Sequence, residues 1–402
     1  MHILLIHQAF AALDEPGGTR HHELARYLTS RGHRVTVIAS PVSYMTGKTS
    51  PGPVSMDAGP GGIEILRASV YSAHHKSFVH RVLAFFSFML SAFFLGLKVK
   101  GVDLVWGTSP PIFQGLTAWV LARFKRVPFL FEVRDLWPDF AISIGVLKSP
   151  TLIKLSFWLE HFLYRRADQM IVNSPAYVPH VTGRGARRVD LVPNSADPEM
   201  FAPEDRGEAF RAAHHLNDKF VVLYAGAHGI SNDLGVALEA ARLLTDRPEV
   251  QIVFLGDGKE KAFLQAQAAS LGLANVTFLP PVSKSGMPAV LAGADACLAI
   301  LKPLEAYKTT YPNKVFDYMA AGRPVVLAID GVIRAVVEAA RCGVFAEPGD
   351  PAALAEAIRG LATDGGAVRR MGMNGRDYLE RNFSRAAMGE KLLGVLDQLT
   401  AR

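Results

Sequence analysis

The chain is built from short apolar runs separated by helix-like stretches, and the series runs twice. The first series reads HILLIH (2–7), RVTVIA (34–39), DLVWGT (103–108), FLFEV (129–133), QMIVNS (169–174) and VDLVPN (189–194). The segment SADPEMFAPEDRGE, rich in Pro, Asp and Glu, then breaks the pattern and reads as an interdomain linker. The second series is FVVLYAG (220–226), VQIVFLG (250–256), VTFLPP (276–281), ACLAIL (296–301) and PVVLAI (324–329). Apolar runs this short, alternating with helices, specify parallel sheets. The chain is therefore expected to be α/β, with two tandem doubly wound Rossmann-like domains facing a cleft. The expected division is 1–200, 201–383 and an amphipathic C-terminal helix within 384–402, free to pack back on the first domain. Its 402 residues exceed one ordinary core.

Charge separates the two halves. Residues 1–200 carry 21 Lys and Arg against 14 Asp and Glu, and residues 201–402 carry 22 against 23. The positive excess lies in the first half, which fits a face turned toward anionic lipid or an anionic acceptor. The basic residues are scattered, without interleaved aromatics, so nucleic acid is not the expected partner. Cys297 and Cys342 sit among apolar or small residues and read as buried thiols of a reducing compartment. The start MHILLIHQAF has no basic leader or cleavage site and reads as a first strand. The expected location is cytoplasmic, peripheral on the inner face of the cytoplasmic membrane.

One segment stands apart. Val82 to Leu97 is 16 residues without a charge, with Arg81, Lys98 and Lys100 at its ends. A spanning helix needs roughly 20 apolar residues. Three readings stay open: a core helix, a helix lying in a membrane interface, and a spanning helix.

Five stretches offer chemistry. Gly17-Gly18 precedes a helix expected near Thr19, where backbone can approach an anion. No G-x-G-x-x-G follows the first strand, which disfavours a dinucleotide cofactor. Glu132, Arg134 and Asp135 close a buried strand beside Trp137-Pro138; Arg134 and Asp135 can position a hydroxyl or take its proton. Gly226-Ala227-His228-Gly229 forms a strand–turn–helix junction suited to phosphate, with His228 as a donor or merely a solvated loop residue. Gly256-Asp257-Gly258 turns into a charged helix and can border a base or ribose. In PNKVFDYMAAGRPVV, Asn313 is a candidate N-cap, Lys314 lies in the first turn and Asp317 one turn on. Backbone and lysine would hold a diphosphate there, and the carboxylate a ribose.

The order of these motifs resembles the retaining glycosyltransferases of family 4. VPNSADPEMF is similar to that family's crossover into its second domain, and DYMAAGRPVV to its EAMACGxPVV. EVRDLWP and PNKVFDYMAAG resemble the O-antigen and capsule subtype that includes fucosamine transferases. The resemblance implies the GT-B fold, a nucleotide-sugar donor, usually a UDP-sugar, no metal or other cofactor, and retention of configuration. It implies a saccharide or polyprenyl-diphosphate-linked acceptor. The base would lie near Gly256 and Val282, the ribose on Asp317, and the diphosphate over Asn313 and Lys314 under Gly17 and Gly18. The family's paired glutamates fall on Thr309 and Asp317, and its acceptor-side histidine on Arg134, next to Asp135. Its diphosphate Arg and Lys fall near Ala227 and Asp233. Lys314 remains as the cation, with His228 as helper. Two other classes share the frame: a UDP-N-acetyl-sugar epimerase and a non-catalytic partner subunit.

Overall fold

The computed structural model describes residues 1–15, 17–42, 54–56, 62–71 and 78–400, with the side chains of 54–56, 78, 79, 81 and 82 outside that description. The basic end expected at Arg81 therefore lies outside the described side chains. The chain divides into two compact units. Met1–Ala12, Gly18–Pro193 and Ala386–Arg402 form the first, and Leu13–Gly17 with Asn194–Arg385 the second.

The first unit holds an eight-stranded sheet: β1 (His2–Ile6), β2 (Arg34–Ala39), β3 (Val54–Met56), β4 (Ile63–Arg67), β5 (Leu104–Ser109), β6 (Phe129–Val133), β7 (Gln169–Val172) and β8 (Val189–Leu191). Its order is β3-β4-β2-β1-β5-β6-β7-β8. Only β3 runs antiparallel, against β4. Both faces are covered, so the inner strands are apolar throughout. Leu4, Val105 and Phe131 point to one core, and Leu5, Trp106 and Leu130 to the other. The helices Phe78–Lys98, Phe113–Lys125 and Pro150–Arg166 cover the first face. Arg20–Ser30 and the C-terminal helix Arg385–Thr400 cover the second, with Leu392 and Leu396 fully buried. Gly389 is required there, since a Cβ would stand 2.4 Å from the Tyr27 ring.

The second unit holds β9 (Phe220–Ala225), β10 (Val250–Leu255), β11 (Val276–Leu279), β12 (Ala296–Ile300), β13 (Val325–Ala328) and β14 (Gly343–Phe345). All neighbours pair in parallel, in the order β11-β10-β9-β12-β13-β14. This is the doubly wound order, with its switch point between β9 and β12, where such sheets bind ligands beyond their carboxyl ends. The stretch read as a linker is packed into this unit. Ala196 and Phe201 lie in its core, because the apolar side chains among the prolines and acids outweigh the local turn signals.

The Phe78–Lys98 helix is buried along Ala84, Phe88 and Ala92, so one side is core. Among the described residues no helix is long and apolar enough to cross a membrane, and the spanning reading is dropped. Both cysteines are free and buried.

Candidate active site

In the second unit, β9 ends at Ala225 and β10 at Leu255, and the turns that follow cross without side chains. Gly226 has φ 152° and Gly256 φ 147°. A Cβ on Gly256 would sit 1.8 Å from the Gly226 carbonyl oxygen, and one on Gly226 2.8 Å from Lys314 Nζ. The turns are tied further by His228 N–H, which donates to the Asp257 carbonyl at 2.8 Å, and by Tyr224 Oη, which donates to the Ala227 carbonyl at 2.7 Å.

Lys314 enters this junction from the first turn of the helix Asn313–Ala320. Its Nζ lies 3.8 Å from the centroid of the Tyr224 ring. The ammonium is enclosed and has no hydrogen-bond acceptor. Burial lowers its pKa to about 7. His228 is fully buried, not solvated, and both ring nitrogens lack partners. Burial, then the Lys261 charge, lowers its pKa to about 4, so the ring is neutral at pH 7. Asn313 is the first helical residue rather than the N-cap, because Pro312, at φ −64° and ψ 125°, takes that position. The enclosed Asn313 Oδ1 is also unpartnered. Buried polar atoms are nearly always hydrogen-bonded, and here four atoms on three residues are open to a polar ligand.

Asp317 is already engaged: Lys284 Nζ donates to its Oδ1 at 2.5 Å. Lys284 is itself buried and stands over the Phe201 ring. Val282 packs against the core nearby, and Ser283 Oγ caps the following turn by accepting from Gly286 N–H. Gly17 has φ 150°. Gly18, in the first unit, has open space where a Cβ would be.

In the first unit, Arg134 follows β6 and braces loops. Its Nε donates to Thr108 Oγ1 at 3.0 Å and its Nη2 to the Pro110 carbonyl at 3.1 Å and His7 Nε2 at 3.2 Å. Asp135 is half-buried, and burial pushes its carboxyl up to about 6 against the pull of Arg134. Glu132, on the preceding strand, points into the interior rather than to solvent. It is fully buried, accepting from Arg20 Nε at 2.9 Å and His21 Nε2 at 2.5 Å. Burial alone would raise its pKa, but His21 and Arg20 hold the carboxyl well below the usual range. Arg20 also donates to the carbonyls of Val192 and Pro193.

Sequence reasoning passed over Tyr224, Lys284, Arg20 and His21. The two cations pair with Asp317 and Glu132, which are distant in sequence, and no local spacing marks such pairs. One further cluster, Asp139, Glu160 and His180, has metal-ligand chemistry. Arg184 bridges both carboxylates, so the charge a cation would supply is already present.

Comparison with known proteins fits this geometry. Residues 17–195 match the family model described as "Glycosyl transferase 4-like domain", and residues 219–364 that described as "Glycosyl transferases group 1". The Escherichia coli K12 glycosyl transferase WcaI, named for colanic acid biosynthesis, is 25% identical over 320 residues, covering 77% of this chain and 78% of that protein. The fold is shared with sucrose-phosphate synthase from Thermosynechococcus elongatus, at TM-score 0.81 and 19% identity over 100% of this chain and 99% of the other. It is shared too with HepE from Anabaena, solved with UDP and glucose, at TM-score 0.74 and 16% identity over 99% and 100%. The chain thus carries both glycosyltransferase family domains in tandem and belongs to the glycosyltransferases of the GT-B type.

Proposed function

We propose that this glycosyltransferase moves a sugar from a nucleotide-diphospho-sugar, foremost a UDP-sugar, to a saccharide hydroxyl with retention of configuration and without a metal or other cofactor. The observation that carries this reading is the enclosed, unpartnered Lys314 ammonium at a helix N-terminus beside two glycine turns. A diphosphate there would accept from Lys314 and from free helix N–H groups. As the bond from anomeric carbon to phosphate oxygen breaks, charge grows on the leaving diphosphate. Fixed N–H dipoles and the lysine stabilise that charge by several kcal/mol where water is excluded.

The other residues take supporting roles. Neutral His228 donates a ring N–H to a phosphate or sugar oxygen. Asp317, oriented by Lys284, accepts from the ribose hydroxyls. Gly256 and Val282 border the base, the Asn313 side chain meets the donor, and Gly17 offers backbone to the diphosphate. The acceptor hydroxyl bonds to the anomeric carbon as its proton leaves to a base, and in the first unit Asp135, with a pKa of about 6, suits that role near neutrality. Arg134 holds that loop in place. Thr309, which cannot act as a carboxylate, leaves Asp317 as the acidic group of this helix.

UDP is favoured because HepE was solved with UDP and glucose. The WcaI likeness favours cell-surface polysaccharide synthesis, O-antigen or capsule, on a polyprenyl-diphosphate-linked acceptor at the inner face of the cytoplasmic membrane. Thermal unfolding with UDP, GDP, CDP and NAD, each with and without magnesium, tests the reading, because a ligand that binds the folded state raises the midpoint. Stabilisation by UDP alone, indifferent to magnesium, is expected. Stabilisation by NAD, or by none of the four, contradicts it.

A further inference from the structure

Three helices cover one face of the first unit's sheet, and each also carries large apolar side chains on its outward side. Inward, Phe88, Ala92, Leu121, Leu159 and Leu163 are buried. Outward, Leu90 is 63% exposed, Phe94 61%, Phe124 67% and Trp158 62%. On the Phe78–Lys98 helix, Leu83, Phe86, Leu90, Phe94 and Leu97 are all exposed, at the three- and four-residue spacing of one stripe. Phe124 belongs to the Phe113–Lys125 helix, and Leu155 and Trp158 to Pro150–Arg166.

Aromatic rings connect these exposed groups from helix to helix. Phe93 meets Phe94 at 5.5 Å and Phe124 at 5.6 Å, joining the first helix to the second. Trp119 meets Phe162 at 4.8 Å, and Phe162 stacks on Trp158 at 5.6 Å, joining the second to the third. Single exposed apolar residues need no explanation, but a cluster that spans three helices marks an interaction surface.

The charges around the patch select its partner. Each helix returns the chain to a parallel strand, β5, β6 or β7, so the three C-termini share one end of the unit. Lys98, Lys100, Arg126, Arg165 and Arg166 are exposed there. The only acid on the three helices is Glu160, and it is buried. Asp103 and Asp168, nearby, each accept a backbone N–H, from His2 and Phe129. A second copy of this face would bring more cations and no exposed acid on these helices to meet them. An anionic lipid surface offers acyl chains to the rings and phosphates to the cations.

We propose that the outer face of this three-helix layer docks on an anionic bilayer, with Phe94, Phe124 and Trp158 in the headgroup–acyl boundary and the exposed Lys and Arg side chains on lipid phosphates. The inference extends the interfacial reading from one helix to three. It is independent of the donor chemistry and holds whether or not the acceptor is lipid-linked.

Co-sedimentation of the full chain with phosphatidylglycerol or phosphatidylcholine vesicles tests it, in about 0.1 M salt, where charges are screened beyond about 10 Å. The wild type is expected to sediment with phosphatidylglycerol and far less with phosphatidylcholine. Phe94→Glu and Trp158→Glu, on different helices, should each lower the partition coefficient about tenfold or more, since each puts a carboxylate at the acyl boundary. A combined Lys98→Glu and Lys100→Glu variant should lose the lipid preference. These positions are exposed, and unchanged thermal unfolding confirms that each variant folds. A wild type that stays in the supernatant overturns the proposal. So does Trp158→Glu binding as tightly as wild type, which reduces the face to one helix. A concentration-dependent dimer that Phe94→Glu dissociates, without vesicle uptake, assigns the face to a second copy instead.

Discussion

Lys314 Nζ stands 3.8 Å from the centroid of the Tyr224 ring, with no acceptor for its protons. A cation on an aromatic face gains some attraction, yet an unsatisfied buried donor costs about 1–3 kcal/mol. In the proposed site a diphosphate supplies that acceptor. Lys314→Met should raise the stability of the ligand-free chain by about 1–3 kcal/mol, read as a higher urea midpoint, while abolishing donor turnover. A destabilised Lys314→Met chain would mean that the lysine serves the fold.

The same burial sets a pH dependence. The free site holds Lys314 at about 7, below the ordinary lysine value near 10.4. A diphosphate favours the charged form and raises that pKa, so binding takes up a proton above pH 7. UDP affinity should be level below pH 7 and fall roughly tenfold per unit above it. Lys314→Met should remove the slope. For the fold the sign is opposite: the unfolded chain binds this proton more tightly, so stability rises between pH 7 and about 10.4. Calorimetric titrations in buffers of different ionisation enthalpy read the proton uptake directly.

Glu132 is the anchor of the first unit's carboxyl-end loops. Removing it takes the carboxylate from Arg20 and His21, which are both buried. Breaking a buried pair by deleting one partner costs about 3–5 kcal/mol. Glu132→Ala should lose about that in denaturant unfolding. Wild-type stability would show that Arg20 and His21 find other partners.

Gly256→Ala should be more damaging than its size suggests. The new methyl would stand 1.8 Å from the Gly226 carbonyl oxygen at a φ of 147°. The turns must separate, and the Lys314 enclosure opens with them. Loss of UDP binding in a folded chain is expected, measured by thermal shift with and without nucleotide. Undiminished binding would detach the glycine crossing from the site.

The parallel strands were legible because burial on both faces makes them continuous apolar runs, as in HILLIH and FVVLYA. β4 (Ile63–Arg67) and β14 (Gly343–Phe345) escaped notice: IEILR is interrupted by Glu64 and ends on Arg67, and GVF is three residues at a sheet edge. Lys314 could be singled out because a helix start, a lysine and small residues are adjacent in sequence. Lys284 could not, since its pairing with Asp317 spans 33 positions. Nor could the burial of His228, because the loop that encloses it is shaped by Gly256 and Gly258 on another strand. The exposed stripe of the 78–98 helix was visible only as apolarity; which residues face outward depends on the sheet beneath.

The most direct test of the central claim is calorimetric titration of UDP into the wild type and into Lys314→Met, with a chelator present. The wild type should bind without metal. The variant should bind at least about a hundredfold more weakly, the roughly 2.7 kcal/mol expected for a lost charge-assisted contact to phosphate. Equal affinity in both proteins, or binding that requires a divalent cation, would contradict a metal-free diphosphate site built on Lys314.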